Sequence, residues 1–391
     1  MIFNPLPWKR KALVQFDMFC DPNNTGRDFA SLQTQNGLRI PIQWSITETN
    51  YGPCKARWKR LNAVVELPPS GYQVYSFEQN HVESPGDESD ILEKLNALIS
   101  RISFEILEDK FDTWGHGANG LGKTIDRAVL TQSEVIDRGV VFCRLRADYT
   151  YGDSIIQLNL TKYRGIDPVA VDLQVDWREK QRTLKLALAT GIHNAAIVSG
   201  QVGDIIEREP DDCEQPFQDF VATVSGTHTC SIISESISAY DSIGCEKLRL
   251  TICRGVYYAD HGLALHGDEQ LIEAGNQSFK LWITESSDPS FPYFLPRQAQ
   301  TLCTQAEYVQ TSNHPGSEPW SKEGLSVAPA CITVGKIEFK DGQLNIRCYN
   351  QSSRVVNLSL KWGDENTNSL NKINRNSFEF LQYNTLENQK R

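Results

Sequence analysis

The chain has 391 residues, of which 40% are hydrophobic, 23% charged and 9% aromatic, a balance typical of a folded globular protein rather than a disordered one. Its 49 acidic residues exceed its 39 basic ones, and the net charge of −10 does not suit general binding to nucleic acids or anionic membranes. No apolar run in the sequence approaches the roughly 20 residues that span a bilayer. We therefore expect two or three domains that contact neither nucleic acid nor membrane.

The N-terminal segment 1–11 contains prolines and a basic triplet where a signal peptide would need an unbroken apolar stretch. This composition predicts a cytoplasmic protein. The 10 cysteines form no C-x-x-C pair, so we expect reduced and mostly buried thiols rather than disulfides or a cysteine-based metal site.

Hydrophobic periodicity predicts mainly strands. Segment 91–99 is the best helical candidate, because its apolar residues recur on one face. Alternating apolar and polar residues predict strands at 169–175, 184–188 and 248–253. The first two of these strands follow each other closely, which suits an antiparallel pair joined by a short turn.

A hairpin is predicted near the C-terminus, where Asp341-Gly342 separates the alternating segments 337–339 and 344–346. The polar segments 78–90 and 288–326 are typical of linkers and suggest a small, a large and a small domain in that order. Together these patterns predict a mainly β, largely antiparallel protein.

One motif matches a nucleotide-binding pattern. Residues 117–124 fit the P-loop expression G-x-x-x-x-G-K-T, which binds phosphates when it leaves a buried parallel strand and enters a helix. The preceding residues 110–116 are not a buried strand, and the surrounding pattern is antiparallel. A nucleotide-dependent protein that uses Lys123 is therefore a minor alternative.

Other motifs carry little chemistry by themselves. His266 and Asp268 have the spacing of two metal ligands, but a zinc site needs three or four. The sequence contains neither H-E-x-x-H nor G-x-S-x-G. Five aromatic residues could stack on sugar rings, with core packing as the alternative interpretation of each. They are Trp114, Trp177, Tyr257, Tyr258 and Trp282.

Several segments, in linked order, resemble the C-terminal half of glycoside hydrolase family 38, the α-mannosidases. They are 3–8 (F-N-P-L-P-W), 66–72 (E-L-P-P-S-G-Y), 112–117 (D-T-W-G-H-G), 175–186 (V-D-W-R-E-K followed by L-K-L), 248–262, 275–279 (G-N-Q-S-F) and 337–362. The resemblance implies a large antiparallel β supersandwich at 91–298, flanked by small β domains at 1–90 and 299–391.

The resemblance also implies a division of labour. Members of the family hold their nucleophile, acid/base carboxylate and zinc in an N-terminal barrel whose motifs do not occur in this sequence. We therefore expect no catalytic or metal-ligating residue here, with zinc in the missing part. The expected function is to complete the mannoside-binding cleft of a barrel on a separate chain, and this chain alone should be inactive. The alternative is a stand-alone, non-catalytic carbohydrate-binding or remnant β protein.

Candidate substrate-binding residues follow from positions that match the family's motifs. Arg254 is the first of them, since a guanidinium there would bond sugar hydroxyls or hold a carboxylate. A structural salt bridge is the alternative role of Arg254. The weaker candidates are Asp260, His261, Asp112 and His116. The sequence departs from the family pattern at Gly255-Val256, where a Ser-Pro step is usual, and at 234–236.

Overall fold

The computed structural model describes residues 1–19, 31–46, 58–78, 87–115, 120–226, 228–258, 271–312, 315–341, 343–363 and 365–384. Strands dominate it and every pairing between them is antiparallel, so the predicted mainly β fold class is confirmed. No helix in the described ranges is long and apolar enough to span a membrane.

The N-terminal region consists of strands of 2 to 10 residues in small sheets. The strands are β1 Ile2–Phe3, β2 Arg10–Phe19, β3 Ser31–Gln33, β4 Arg39–Pro41, β5 Gln43–Ile46, β6 Trp58–Leu67, β7 Tyr72–Gln73 and β8 Ser76–Glu78. Strand β6 lies between β2 and β5, and their apolar side chains form a small separate core.

The central region follows helix α1, Ser89–Ile99. Its strands are β9 Ile102–Glu108, β10 Thr124–Arg127, β11 Val129–Asp137, β12 Phe142–Tyr151, β13 Ser154–Tyr163, β14 Val169–Trp177, β15 Arg182–Ala189, β16 Ala196–Gln201, β17 Asp204–Arg208, β18 Gln215–Pro216, β19 Asp219–Ser225, β20 His228–Ser234, β21 Ala239–Ile243, β22 Lys247–Arg254 and β23 Gly275–Ser286.

The C-terminal region begins with a 3-10 turn at Phe291–Phe294 that leads into helix α2, Leu295–Cys303. The strands that follow are β24 Glu307–Tyr308, β25 Ser321–Lys322, β26 Leu325–Ala328, β27 Ile332–Lys340, β28 Gln343–Asn350, β29 Val356–Trp362, β30 Glu365–Ile373 and β31 Ser377–Asn384. Strands β26 to β31 form two small sheets that enclose their own apolar core.

Two large sheets form a sandwich in the centre of the chain. Within the described residues, one has 6 strands in the order β10-β9-β15-β22-β21-β18, and the other has 9 in the order β11-β12-β13-β14-β23-β20-β19-β16-β17. Their facing apolar side chains form one continuous core, in which Leu186 and Leu250 of the six-stranded sheet meet residues such as Leu173 of the nine-stranded one. The supersandwich expected from the resemblance is thus present.

The predicted pairing of segments 169–175 and 184–188 is wrong. Both segments are strands, β14 and β15, but β14 pairs with β13 and β23 in one sheet, and β15 pairs with β9 and β22 in the other. The short connection crosses between the sheets, because each strand has an apolar face and the two faces meet across the core. Alternation identifies such a face but not the sheet that contains it.

Other sequence predictions are confirmed. Helix α1 contains segment 91–99 and buries Leu95 and Leu98. Strands β27 and β28 form the predicted hairpin, with Asp341 at a φ of 53° in its turn and Gly342 outside the described residues. The cysteines within the described ranges form no disulfide, and their reduced state in the cell stays a prediction.

Segment 288–326 is more than a linker. Helix α2 lies within it and buries Leu295 and Ala299 against Phe220 and Ile233 of the nine-stranded sheet. Strands β24 and β25 then join β1 and β7 in one sheet, in the order β24-β1-β7-β25. The other expected linker, 78–90, lies mostly outside the described residues, and its end already belongs to α1. The division into three domains stays a prediction.

Candidate functional site

The outer face of the six-stranded sheet carries buried charges, which we call the charged face. It comprises Glu105, Lys185, Asp241 and Arg249, and these residues are between 0% and 6% exposed. They alternate along their strands with apolar residues that point into the core, such as Ile106, Leu186 and Leu250. A buried charge is costly unless it is paired, so the partners of these residues decide what the face can do.

Each ion of the charged face has a partner within the face or at its border. Arg249 donates to both oxygens of Asp241 at 2.6 and 2.8 Å and to Glu105 at 3.1 Å. The Lys185 ammonium lies 2.5 Å from Glu214 and 3.2 Å from Asp241.

The pKa of Glu105 reflects this pairing. Burial opposes the ionised form of Glu105, but hydrogen bonds from Lys247 and Arg249 outweigh burial and hold the pKa of its carboxyl below the usual value. The charges at the centre of the charged face are therefore paired with one another. They stabilise the sheet whose end carries Arg254.

A β-bulge turns Arg254 onto the same outer face. The register of β15 and β22 shifts so that Lys185 lies opposite Thr251, whereas Thr183 lies opposite Arg254. Without the extra residue in β22, alternation would point position 254 toward the core. Bulges commonly redirect a side chain beside a functional site.

Arg254 forms a bidentate ion pair with Asp109, the residue that directly follows β9. Its Nε and Nη2 donate to the two Asp109 oxygens at 2.7 and 3.1 Å. The Asp109 side chain is 0% exposed and Arg254 is 16% exposed. Thr183 Oγ1 and the Phe111 backbone N–H also donate to Asp109, at 2.7 and 3.1 Å. The carboxylate is thus fixed by three different elements.

The remaining contacts of Arg254 connect the loops around it. Its Nη2 donates to the Asp112 carbonyl at 3.3 Å, and its backbone N–H donates to the Glu273 carboxylate at 2.6 Å. Nη1 donates to no group among the described residues. Arg254 therefore retains two N–H donors that a ligand can accept from.

Two loops, 109–115 and 254–258, form the rim of this site. The Thr113 backbone N–H donates to the Tyr257 carbonyl at 3.1 Å, which joins the loops directly. Asp112 Oδ1 accepts from the backbone N–H groups of Trp114 and Gly115 at 2.9 and 3.1 Å, so Asp112 shapes its own turn. Trp114 is 60% exposed and Tyr258 is 69% exposed. The arrangement offers polar donors beside aromatic rings.

Gly255 explains one departure from the family pattern. A Cβ at this position would lie 1.9 Å from the Glu179 carbonyl oxygen, so no side chain fits. Its backbone N–H donates to the Arg182 carbonyl at 2.9 Å, and its carbonyl accepts from the Gln181 backbone N–H at 2.6 Å. Glycine at 255 lets β22 press closely on the β14–β15 turn, next to Arg254.

The structure brings only some of the predicted site residues together. Arg254 and Asp112 share a site, whereas Asp260, His261 and His116 lie outside the described residues, as do His266 and Asp268. Arg254 takes part in the salt bridge considered as its alternative role, and its part in binding substrate stays a prediction. Sequence reasoning missed Asp109. The available signal was the alternation along β9. Ser103, Glu105 and Leu107 point away from the core, so Asp109, two positions further on, is expected on the same face.

Among the proposed aromatic platforms, Trp177 is fully buried between the sheets and Trp282 is half-buried beside α2, so both serve packing. The apparent P-loop lies partly outside the described residues, at 117–119, and its described end does not enter a helix. Thr124 begins edge strand β10 rather than a helix, and its hydroxyl donates to Glu105 and accepts from Arg249. The nucleotide alternative thereby loses its structural basis. Within the described ranges, no group of three or more His, Cys, Asp or Glu side chains could hold a metal ion.

Comparison with known proteins agrees with this architecture. Residues 89–262 match the glycosyl hydrolases family 38 C-terminal domain. The resemblance to family 38 is confirmed. The matched region contains α1, all six strands of the six-stranded sheet, and both Asp109 and Arg254. No curated protein sequence matches the chain.

Two solved structures from Enterococcus faecalis are similar over 98% of this chain. One is a protein in glycosyl hydrolase family 38, with a TM-score of 0.71 and 11% identity, and the other is an α-mannosidase of strain V583, with a TM-score of 0.71 and 10% identity. At such identities the likeness shows the fold alone. The chain spans 57% and 55% of the lengths of those two proteins.

Proposed function

We propose that loops 109–115 and 254–258 form one wall of an α-mannoside-binding cleft whose bond-cleaving groups lie in a catalytic barrel on a separate chain. The family 38 match supports the substrate class. The observation that carries the proposal is the anchored Arg254, which keeps Nη1 available beside the exposed rings of Trp114 and Tyr258.

The chemistry of this wall suits a sugar. Hydroxyl groups of a sugar would accept from Nη1 of Arg254, while an apolar sugar face would stack on an aromatic ring of the rim. Because Asp109 holds the guanidinium plane in place, Arg254 loses little further conformational freedom when ligand binds.

In this proposal the chain orients the sugar and excludes water, and it moves no proton. The zinc ion and the pair of carboxylates implied by the resemblance would belong to the catalytic part. Since the described residues offer no cluster of metal ligands, no step of the reaction is assigned to a metal held by this chain.

Native mass spectrometry of the protein from its source cells tests the proposal. We expect the 44.1 kDa chain to appear in a stable complex with a second chain large enough to hold a barrel. The complex should hydrolyse 4-nitrophenyl α-mannoside, lose activity with a zinc chelator and regain it with added zinc. A chain that associates with nothing would contradict this proposal.

A stand-alone carbohydrate-binding protein is the second candidate, favoured by the exposed aromatic rings beside Arg254. Calorimetry of the isolated chain with methyl α-mannoside distinguishes the two. Binding by a chain that forms no complex supports the second candidate. If the chain neither binds methyl α-mannoside nor forms a complex, both candidate functions are contradicted.

A further inference from the structure

A second cleft lies on the face of the nine-stranded sheet that points away from the sandwich core. Strands β2, β4 and β6 of the N-terminal region form its other side. Its volume is about 350 Å³, within the range of small-molecule sites. Its walls are mainly apolar and come from both sides. They include Ile40, Pro41, Val64, Val140 and Val141.

One side chain fixes the two sides of this cleft relative to each other. Gln43 of strand β5 accepts through Oε1 from the backbone N–H groups of Val141 and Phe142, at 3.1 and 2.9 Å. A side chain at Gly139 would collide with Gln43, with a Cβ only 2.5 Å from its amide. The cleft is therefore largely preformed, which lowers the entropic cost of binding.

Two cations, Lys11 and Arg164, line this apolar space, and neither forms an ion pair within the described part of the chain. Lys11 forms no ion pair there, although it lies opposite Glu66 on the neighbouring strand, because the Glu66 carboxylate is 2.5 Å from Lys9. The Arg164 guanidinium donates to the Asp87 backbone carbonyl alone among the described residues, at 3.3 Å, and its Nε is buried without a partner.

The charged residues that line the cleft carry a net positive charge. Lys11 and Arg164 are positive there against the one negative charge of Glu66, which is itself paired with Lys9, in a chain whose net charge is −10. The exposed Asp87 carboxylate lies near enough to Arg164 for the two charges to interact, but the two groups form no ion pair. The Asp87 carboxylate accepts from Ser89, at 2.9 and 2.7 Å. A buried guanidinium nitrogen that lacks an acceptor favours a ligand that supplies one.

We infer that this cleft binds a small organic anion, a carboxylate with an apolar body of roughly eight carbons. The carboxylate would accept from Arg164 and pair with Lys11, and the hydrocarbon would contact the valines and Ile40. For scale, an apolar cavity of about 150 Å³ accommodates benzene. The site is separate from the Arg254 site, and the inference is independent of the proposed function.

Calorimetry with octanoate and 1-octanol tests both parts of the inference. The two probes share a chain length but differ in charge, so their difference reports the cations. We expect octanoate to bind at least about tenfold more tightly than octanol, which corresponds to about 1.4 kcal/mol. Equal affinities, or no binding of octanoate, would overturn the inference.

Variants locate the binding. Lys11→Gln and Arg164→Gln should each weaken octanoate binding about five- to tenfold and leave octanol binding unchanged. Lys340→Gln removes the same charge at an exposed position of β27 and should have no effect. Arg164→Lys keeps the charge and should retain most of the affinity, provided its circular dichroism matches the parent. Unaltered octanoate binding in both glutamine variants would place the anion elsewhere and refute the site.

Discussion

Arg254 and Arg164 are both half-buried arginines beside a loop, but their guanidinium groups have different surroundings. Arg254 meets a fully buried carboxylate that is itself held by Thr183 and a backbone N–H group. Arg164 meets a single backbone carbonyl and has a buried Nε without an acceptor. The first arginine supports the fold and keeps one nitrogen for a ligand, whereas the second has a buried nitrogen that no described protein group satisfies.

The comparison separates two ways in which a cation can serve a binding site. In a paired site the protein sets the geometry and the ligand adds little charge neutralisation. In an unpaired site the ligand supplies the missing negative charge, so its own charge contributes strongly to affinity. Replacing Arg254 should therefore change mainly the free energy of unfolding, and replacing Arg164 should change mainly the preference for an anionic ligand over a neutral one.

The largest expected effect is on stability. Arg254→Met leaves Asp109 buried without its cation and should lower the free energy of unfolding by about 3–5 kcal/mol. Arg164→Met, which breaks no ion pair, should change it by less than about 1 kcal/mol. Urea unfolding of both variants measures the difference, and equal losses would show that the two sites are alike.

Close packing beside Arg254 provides a second test. Gly255→Ala forces a Cβ to within 1.9 Å of the Glu179 carbonyl and should cost about 1–3 kcal/mol as the β14–β15 turn moves away. Gly316→Ala is the matched control, because a Cβ there meets nothing within 4 Å. Thermal unfolding of each variant measures the cost, and similar midpoints for both would mean that the turn yields easily.

Acid should reduce the stability that the charged face contributes, because this face contains the buried carboxylate of Glu105. Since the pKa of Glu105 is lower in the folded than in the unfolded protein, its stabilisation is complete above about pH 4.5 and is lost as the pH falls through the folded value. Glu105→Gln should therefore flatten the fall in thermal midpoint as the pH drops below about 4.5.

The exposed carboxylate of Glu338 supplies the control for this pH series, because its surface pair with Lys336 adds little stability. Glu338→Gln should keep the parent's acid slope. If Glu105→Gln also keeps it, another carboxylate controls the acid transition.

The smallest expected effect on stability accompanies a functional one. Trp114→Ala should leave the free energy of unfolding within about 0.5 kcal/mol, since the ring is 60% exposed, yet raise KM for a mannoside about three- to tenfold in the active complex. Trp362→Ala, at an exposed position in the C-terminal region, should alter neither quantity. A Trp114→Ala complex with unchanged KM would remove this ring from the proposed cleft wall.

Much of the fold was predictable from the sequence, because each pattern reports one local property. The alternation in β14, β15 and β22 marks strands with one apolar face, and the spacing in α1 marks a helix with one apolar stripe. Helix α2 was missed because its short segment contains Pro, Arg and Gln between Leu295 and Ala299.

The site was predictable only in part. The resemblance pointed to Arg254, but its partner Asp109 is 145 positions away in the chain. Two features bring them together, the pairing of β9 and β22 with opposite sides of β15, and a bulge in β22. Neither feature has a local signature in the sequence, since strand order and bulges depend on packing across the whole sheet.

The sheet β24-β1-β7-β25 also constrains how the protein is made. Its strands come from residues near 2, 72, 307 and 321. Strands β1 and β7 therefore lack their outer partners, β24 and β25, until roughly 250 further residues have been translated. At about 5–20 residues per second, that delay is on the order of 10–50 s. During this time the two early strands expose unpaired edges, and the N-terminal region completes its hydrogen bonding only after the central sandwich has been synthesised. Chaperones that shield strand edges would act on this protein in that interval.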